Sequence, residues 1–321
     1  MRVLIIGATG FAGRHLAKLC AAQDAHVVGL GRRPYDPLAT ADLHDYVVAD
    51  LTSPGEARAA IRAAAPDAVF HLAAEASVAT SWKSPEATIR TNLDSTLNVL
   101  EAVRRDCPAA RLLVACSGEE YGDHDGRPLT EEHNLRPQNP YAVSKAACDL
   151  AAGFIGDAYG LHVVRMRAFN HAGPGQSDAY VVSKFARQIA EAEAAGRAGE
   201  PVEIVTGNLH VRRDFTDVRD VVRAYWLALE RADPGVYNVC SGRSTEISEI
   251  LSGLASYAGV EFEQTTDPSL LREHEVEEIR GSHEKLTAAT GWEPEIPLER
   301  TLADTVQWWR ERAAVGVGRA R

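Results

Sequence analysis

Cysteine is scarce and scattered. The chain has five in 321 residues, Cys20, Cys107, Cys116, Cys148 and Cys240, without the paired spacing of a zinc site or the density of a secreted disulfide scaffold. Buried thiols are expected, and no metal. Long apolar runs are missing too. None reaches the roughly 18 residues of a membrane span. The apolar opening Val3 to Ile6 runs straight into a glycine turn, without the longer apolar core and small-residue cleavage site of a secretory signal. The expected location is the cytoplasm, with no membrane partner. Positive charge is in short supply, with 34 Lys and Arg against 45 Asp and Glu and a net charge of −11. Binding to a nucleic-acid backbone draws on clustered Lys and Arg, so a nucleic-acid partner is not expected. An anionic ligand must instead be held by local arginines and helix N-termini.

What is present is a rhythm. Short β-branched runs at Val3 to Ile6, His26 to Leu30, Tyr46 to Val48, Ala68 to His71, Leu112 to Cys116 and Val163 to Arg167 alternate with alanine-rich helical stretches, which predicts parallel strands with helical crossovers. The runs are continuously apolar, as in a sheet covered on both faces. The expected class is α/β, with a doubly wound parallel sheet over residues 1–170 and a smaller, interleaved C-terminal lobe over 171–321. A helix is expected from about Val181 to Ala195 and a strand at Val202 to Thr206. The charged stretch Arg212 to Arg219, the helix Val221 to Arg231 and the run Val236 to Val239 predict a return of the chain to the first domain around 212–236. The tail Ala313 to Arg321 reads as disordered.

The segment Gly7-Ala8-Thr9-Gly10-Phe11-Ala12-Gly13 follows the first strand and opens a helix. Glycines there permit a tight turn and close approach to a pyrophosphate seated on the helix N-terminus. About 20 residues on, where an acid would take the ribose hydroxyls of NAD, the chain reads Gly31-Arg32-Arg33. Arg32 suits a 2′-phosphate, so NADP(H) is the expected cofactor and NAD(H) the lesser option; the bland alternative is a pair of solvated loop charges. Asp50 and Leu51 after the third strand are candidates for holding the adenine, with a helix N-cap as the other reading of Asp50. Leu72, Ala73 and Ala74 after the fourth strand are expected to line the cofactor with small side chains.

Tyr141 and Lys145 lie four apart at a helix start and so share a face. An ammonium near the phenol is expected to lower its pKa and make Tyr141 a proton donor near neutral pH. Ser117 ends the strand Leu112 to Cys116, at the carboxyl end of the sheet where ligands of such sheets bind. A lone Tyr-x-x-x-Lys pair is usually a surface accident; the glycine turn and the order Ser, Tyr, Lys make accident a poor explanation. In these features the chain resembles the extended short-chain dehydrogenases/reductases from Met1 to about Arg310, which implies a Rossmann-type fold and hydride chemistry.

Four stretches, Ser117-Gly118-Glu119-Glu120-Tyr121-Gly122, Phe169 to Gln176, Arg213 to Asp220 and Leu271 to Val276, further resemble the GDP-4-keto-6-deoxy-D-mannose reductases and the related GDP-mannose 4,6-dehydratases. The resemblance implies a nucleotide-diphosphate sugar substrate, GDP-linked, with Asn170 and Lys184 among its contacts, Arg213 and Arg272 on phosphates and Glu275 on a ribose hydroxyl. Arg213 has an ion pair with Asp214 or Asp217 as its alternative, and Arg272 a solvated helix charge. Glu119 is either a catalytic or substrate-contacting carboxylate or a structural hydrogen bond beside Tyr121. The stretch around Gly118 and the short segment between Arg32 and Asp50 favour a 4-keto reductase over a 4,6-dehydratase or 4-epimerase. A non-catalytic NADP-binding regulator is the alternative from another class; retention of Tyr141 and Lys145 speaks against it. The resemblance also implies a homodimer joined through a four-helix bundle of the alanine-rich helices Thr91 to Arg104 and Tyr141 to Tyr159.

Overall fold

A computed structural model of the chain describes residues 1–34, 41–124, 126–196, 200–271 and 275–319. The first half builds β1 (Arg2–Ile6), α1 (Phe11–Ala22), β2 (His26–Gly31), β3 (Asp45–Val48), α2 (Pro54–Ala64), β4 (Ala68–His71), α3 (Val78–Lys83), α4 (Pro85–Asp106), β5 (Arg111–Ser117), α5 (Pro140–Tyr159) and β6 (Val163–Ala168). Beyond them come β7 (Asn170–Ala172), α6 (Val181–Ala194), β8 (Val202–Thr206), β9 (Arg212–Asp217), α7 (Val218–Arg231), β10 (Gly235–Val239), β11 (Ser244–Glu246), α8 (Ile247–Ala258), β12 (Phe262–Thr266), β13 (Glu278–Ile279), α9 (Glu284–Thr290) and α10 (Leu298–Arg319).

Seven strands form one parallel sheet in the order β10-β6-β5-β4-β1-β2-β3. Continuous apolarity is what such a sheet needs, since both faces are covered. On one face α2, α4 and α5 bury Ile61, Leu100 and Ala152 against the strands. On the other, α1 contributes Leu16 and Cys20, and α7 contributes Val221, Val222 and Tyr225. The class expected from the sequence, α/β with a Rossmann-type doubly wound sheet, is the one observed.

The remaining elements make a second layer system. β9 is flanked by β11 and β13 and also pairs with β7, while β8 pairs with β12. Helices α6, α8 and α10 close over these strands around Phe185, Ile250 and Val306. The chain leaves the first sheet after β6, enters this lobe, and returns through α7 and β10, where Tyr237 pairs with Met166.

Two local expectations need correction. Helix α7 starts at Val218 rather than Val221, because Asp217 caps it by accepting from the Arg219 N–H at 2.8 Å. The tail read as disordered from Ala313 is helical as far as Arg319; it continues a helix already anchored by the buried Leu302 and Val306 and contains no proline to stop it. Among the described residues no helix is long and apolar enough to cross a membrane.

Candidate active site

The glycine turn sits at the carboxyl end of β1. Gly7 has φ of +89°, a conformation natural to glycine, and its N–H donates to the Leu30 carbonyl at 2.8 Å. Gly10 precedes α1 with no side-chain cap, and the first turn carries no acid, so the N–H groups from Phe11 and Ala12 onward and the helix dipole are available to an anion. A Cβ at Gly13 would lie 2.1 Å from the Gly7 carbonyl oxygen, and one at Gly7 would lie 3.0 Å from the Ala73 nitrogen. This cradle, with exposed Thr9 at its rim, fits a pyrophosphate. Leu72, Ala73 and Ala74 are half-buried beside it. A Cβ at Gly31 would meet the Tyr46 hydroxyl at 2.3 Å, the far end of a side chain that would have to turn aside.

Arg32 is exposed, and its charge contributes to holding the Asp50 carboxyl below its ordinary value, after the hydrogen bonds from Thr52. Asp50 Oδ1 accepts from the Thr52 N–H at 2.9 Å and its hydroxyl at 2.8 Å. Asp50 is therefore not the N-cap of α2; Ser53 occupies that position. Leu51 is buried.

Ser117 is the last residue of β5. Its N–H donates to Glu120 Oε1 at 2.7 Å while its Oγ accepts from the Glu119 N–H at 3.2 Å, a reciprocal cap that fixes both ends of the residue. Tyr141, in the first turn of α5, comes close to Ser117. The entry of α5 is set by Asn139, which accepts from the Ala142 N–H at 2.8 Å, and by Pro140 at the first position. Here one expectation is reversed. Burial pushes the Tyr141 phenol above its ordinary value, against the opposing influence of nearby Ser117. Lys145 is turned to the strand: its Nζ donates to the Ala115 carbonyl at 2.6 Å. Beneath it, burial and then the Lys145 charge pull the His71 imidazole down to about 3, so this histidine stays neutral.

Glu119, Asn139, Arg213, Glu275, Trp82 and Val276 are among the residues lining a cleft of about 350 Å³. Glu119 is bound at Oε2 by Asn139 Nδ2 at 3.2 Å, not to Tyr121. Arg213 is buried, with Nη1 on the Arg212 carbonyl at 2.8 Å. Its neighbours are engaged elsewhere: Asp214 accepts from Ser241, Gly242 and Gly281, with burial pushing its carboxyl up to about 6, and Asp217 holds Arg219. Glu275 Oε2 accepts from Asn208 Nδ2 at 3.1 Å. Asn170 opens β7 and Lys184 lies in the first turn of α6; neither lines the cleft. The Lys184 charge acts on Asp267 instead. Arg272 lies outside the described residues.

The pattern that describes GDP-mannose 4,6 dehydratase matches residues 4–305. The chain belongs to this family. It is 37% identical to the GDP-6-deoxy-D-mannose reductase of Pseudomonas aeruginosa, over 97% of this chain and 98% of that one. The structure of RMD from Pseudomonas aeruginosa complexed with NADPH superposes with a TM-score of 0.84 at 35% identity, covering 97% of this chain and 100% of that one. UDP-glucose 4-epimerase from Thermotoga maritima, solved with UDP-glucose, gives 0.87 at 28% identity, over 97% and 99%. The extended short-chain dehydrogenase/reductase resemblance read from the motifs thus holds across the chain.

Several residues at this family site carry no signal that was read from the sequence. Trp82 and Val78 reach the cleft from α3, a contact that only the fold creates. Tyr180, whose phenol burial pushes up to about 12, stands near Tyr141 and Glu75, which raise it further. Asn92 is buried in α4, receives the Glu75 N–H at 2.7 Å and donates to Ser144 Oγ at 2.8 Å. Asn139 was readable, as an N-cap before proline.

Proposed function

We propose that the chain reduces the 4-keto group of a GDP-linked 4-keto-6-deoxy sugar with NADPH, giving a GDP-6-deoxyhexose such as GDP-rhamnose. The observation that carries the reading is the placing of Tyr141 beside Ser117 at the carboxyl end of the sheet, one turn from Lys145 and opening through Glu119 toward the cleft. Similarity to a GDP-6-deoxy-D-mannose reductase over nearly the whole of both chains supports the ketone-reducing branch. A neighbour complexed with NADPH supports the cofactor, with NAD(H) the lesser option.

Bound NADPH supplies the hydride. The turn Gly7 to Gly13 holds its pyrophosphate, Arg32 its 2′-phosphate, and Leu72 to Ala74 flank it. The Ser117 hydroxyl orients the sugar carbonyl oxygen. Tyr141 keeps its phenolic proton because burial disfavours the phenolate, and delivers it to that oxygen as negative charge develops there. Lys145 has three donors; one is on Ala115, and the others serve a ribose. Arg213 and Arg272 take the diphosphate, Glu275 a ribose hydroxyl, and Asn170 and Lys184 are further contacts of the substrate. The enzyme works in the cytoplasm, a placement supported by cysteines that are all free.

Glu119 favours a second reading, 4,6-dehydration, because elimination requires a carboxylate base and Asn139 holds one at the cleft. The deciding assay offers NADPH with GDP-4-keto-6-deoxy-D-mannose, and separately GDP-mannose with oxidised cofactor. Loss of NADPH absorbance with a reduced sugar product is expected, and a 4-keto product from GDP-mannose would reverse the order. Tyr141→Phe is expected to lower turnover by about 10²- to 10⁴-fold with NADPH binding nearly intact; normal turnover would end the catalytic assignment.

A further inference from the structure

Glu120 takes no part in the chemistry above, yet its side chain is fully buried beneath Ser117. One carboxyl oxygen, Oε1, accepts the Ser117 N–H at 2.7 Å. The other, Oε2, has no hydrogen-bond partner as an acceptor among the described residues, and the nearest cation, Arg167 Nε, is 3.6 Å away. That guanidinium is committed elsewhere: Nε donates to Asp149 Oδ2 at 2.6 Å and Nη1 to the Tyr121 hydroxyl at 2.9 Å. Arg165 Nη1 takes the other Asp149 oxygen at 2.7 Å. Asp149 is itself fully buried and brings a carboxyl oxygen within 4.8 Å of one of Glu120's.

Two buried carboxylates in contact cannot both be ionised. Asp149 has two guanidiniums and keeps the charge, so the proton falls to Glu120, where burial and the Asp149 charge hold the carboxyl well above the usual range. A proton on Oε2 also resolves the orphan, since the oxygen then donates to Asp149. The result is a chain of bonds from Ser117 through Glu120 and Asp149 to the arginines of β6, and through Arg167 and Tyr121 to Asn238 of β10.

We infer that Glu120 is a positioning residue, a neutral carboxylic acid that grips the Ser117 backbone and so fixes the Ser117 hydroxyl against Tyr141. The activity arm of its test rests on the reduction proposed above; the spectroscopic arm does not. In the full-length protein at neutral pH, infrared spectroscopy should detect a protonated carboxyl that disappears in Glu120→Gln. Absence of that band, or its survival in the variant, would overturn the neutral acid.

In the NADPH assay, Glu120→Leu should lower kcat roughly 10- to 100-fold, the scale of a small misplacement, with sugar KM and NADPH affinity near wild type. Glu120→Gln retains an oxygen for the Ser117 N–H and an amide donor for Asp149, and should recover most of the turnover. Because Glu120 acts through the hydroxyl, Ser117→Ala with Glu120→Leu should lose no more than Ser117→Ala alone; multiplicative losses would refute the positioning role. If Ser117→Ala turned over normally, the proposed reduction would be at fault, and the infrared result would still decide the acid. Should Glu120→Leu not fold, the comparison of wild type with Glu120→Gln decides alone.

Discussion

At position 13 a single added carbon would sit 2.1 Å from the Gly7 carbonyl oxygen and 2.9 Å from Ala8. Both contacts are backbone, so the helix itself must move away from β1. Overpacking of this kind costs about 1–3 kcal/mol, and the displaced N-terminus of α1 is the proposed pyrophosphate seat. Gly13→Ala is therefore expected to lower the unfolding temperature and weaken NADPH binding in a fluorescence titration. Gly55 is the control: it lies in α2 with nothing within 4 Å of its would-be Cβ, so Gly55→Ala should stabilise by about 0.4–1 kcal/mol and leave NADPH binding alone. Equal effects of the two substitutions would mean that only backbone entropy matters at position 13.

Among the elements, α5 has two faces with different work. Its first turn carries Tyr141 and Lys145, while Val143, Leu150, Phe154 and Tyr159 are left exposed, Phe154 at 73%. These spacings place Val143, Leu150 and Phe154 along one stripe, an apolar surface of the kind that marks an interaction site. A homodimer of the kind that the sequence resemblance implies would cover this stripe with the same stripe of a second copy, α4 alongside. Light scattering should give a dimer at micromolar concentration, and Phe154→Glu a monomer; a monomeric wild type would dismiss the interface. The strands of the first sheet were legible because their runs are apolar without interruption, and β8 because Val202 to Thr206 stands isolated between polar stretches. The direction of Lys145 was not: its partner is a carbonyl on β5, thirty positions away in sequence, and no local pattern encodes that. Glu120 was visible only as half of an acidic doublet, since its burial depends on Asp149 and Arg167 arriving from α5 and β6.

For the molecule as a whole, the first sheet is not made by the first half of the chain. The core on one face takes Val218, Val221, Val222, Tyr225 and Leu229 from α7, Tyr237 and Val239 from β10, and Leu286 and Trp292 from beyond. Trp292 is fully buried and its indole N–H donates to the Asp220 carbonyl at 3.0 Å. A fragment of residues 1–170 would expose Val3, Ile5, Phe70 and Met166 on that face. It is expected to show no cooperative thermal transition by circular dichroism, and a sharp two-state melt would show the boundary after residue 170 to be that of an independent folding unit.

The return of the chain through β10 also sets a clock. Within the sheet β10 pairs with β6 alone, and the 66 residues between Ala168 and Gly235 must be synthesised before it can form. At about 5–20 residues per second, the free edge of β6 waits roughly 3–13 s on the ribosome, with an apolar strand and its unpaired N–H and C=O groups open to any other nascent chain. Arg165 and Arg167 project from that same strand, and two like charges on a waiting edge discourage such pairing. Asp149 precedes both in the chain, so their neutralisation waits on the docking of α5, and until then these arginines would guard the unfinished sheet.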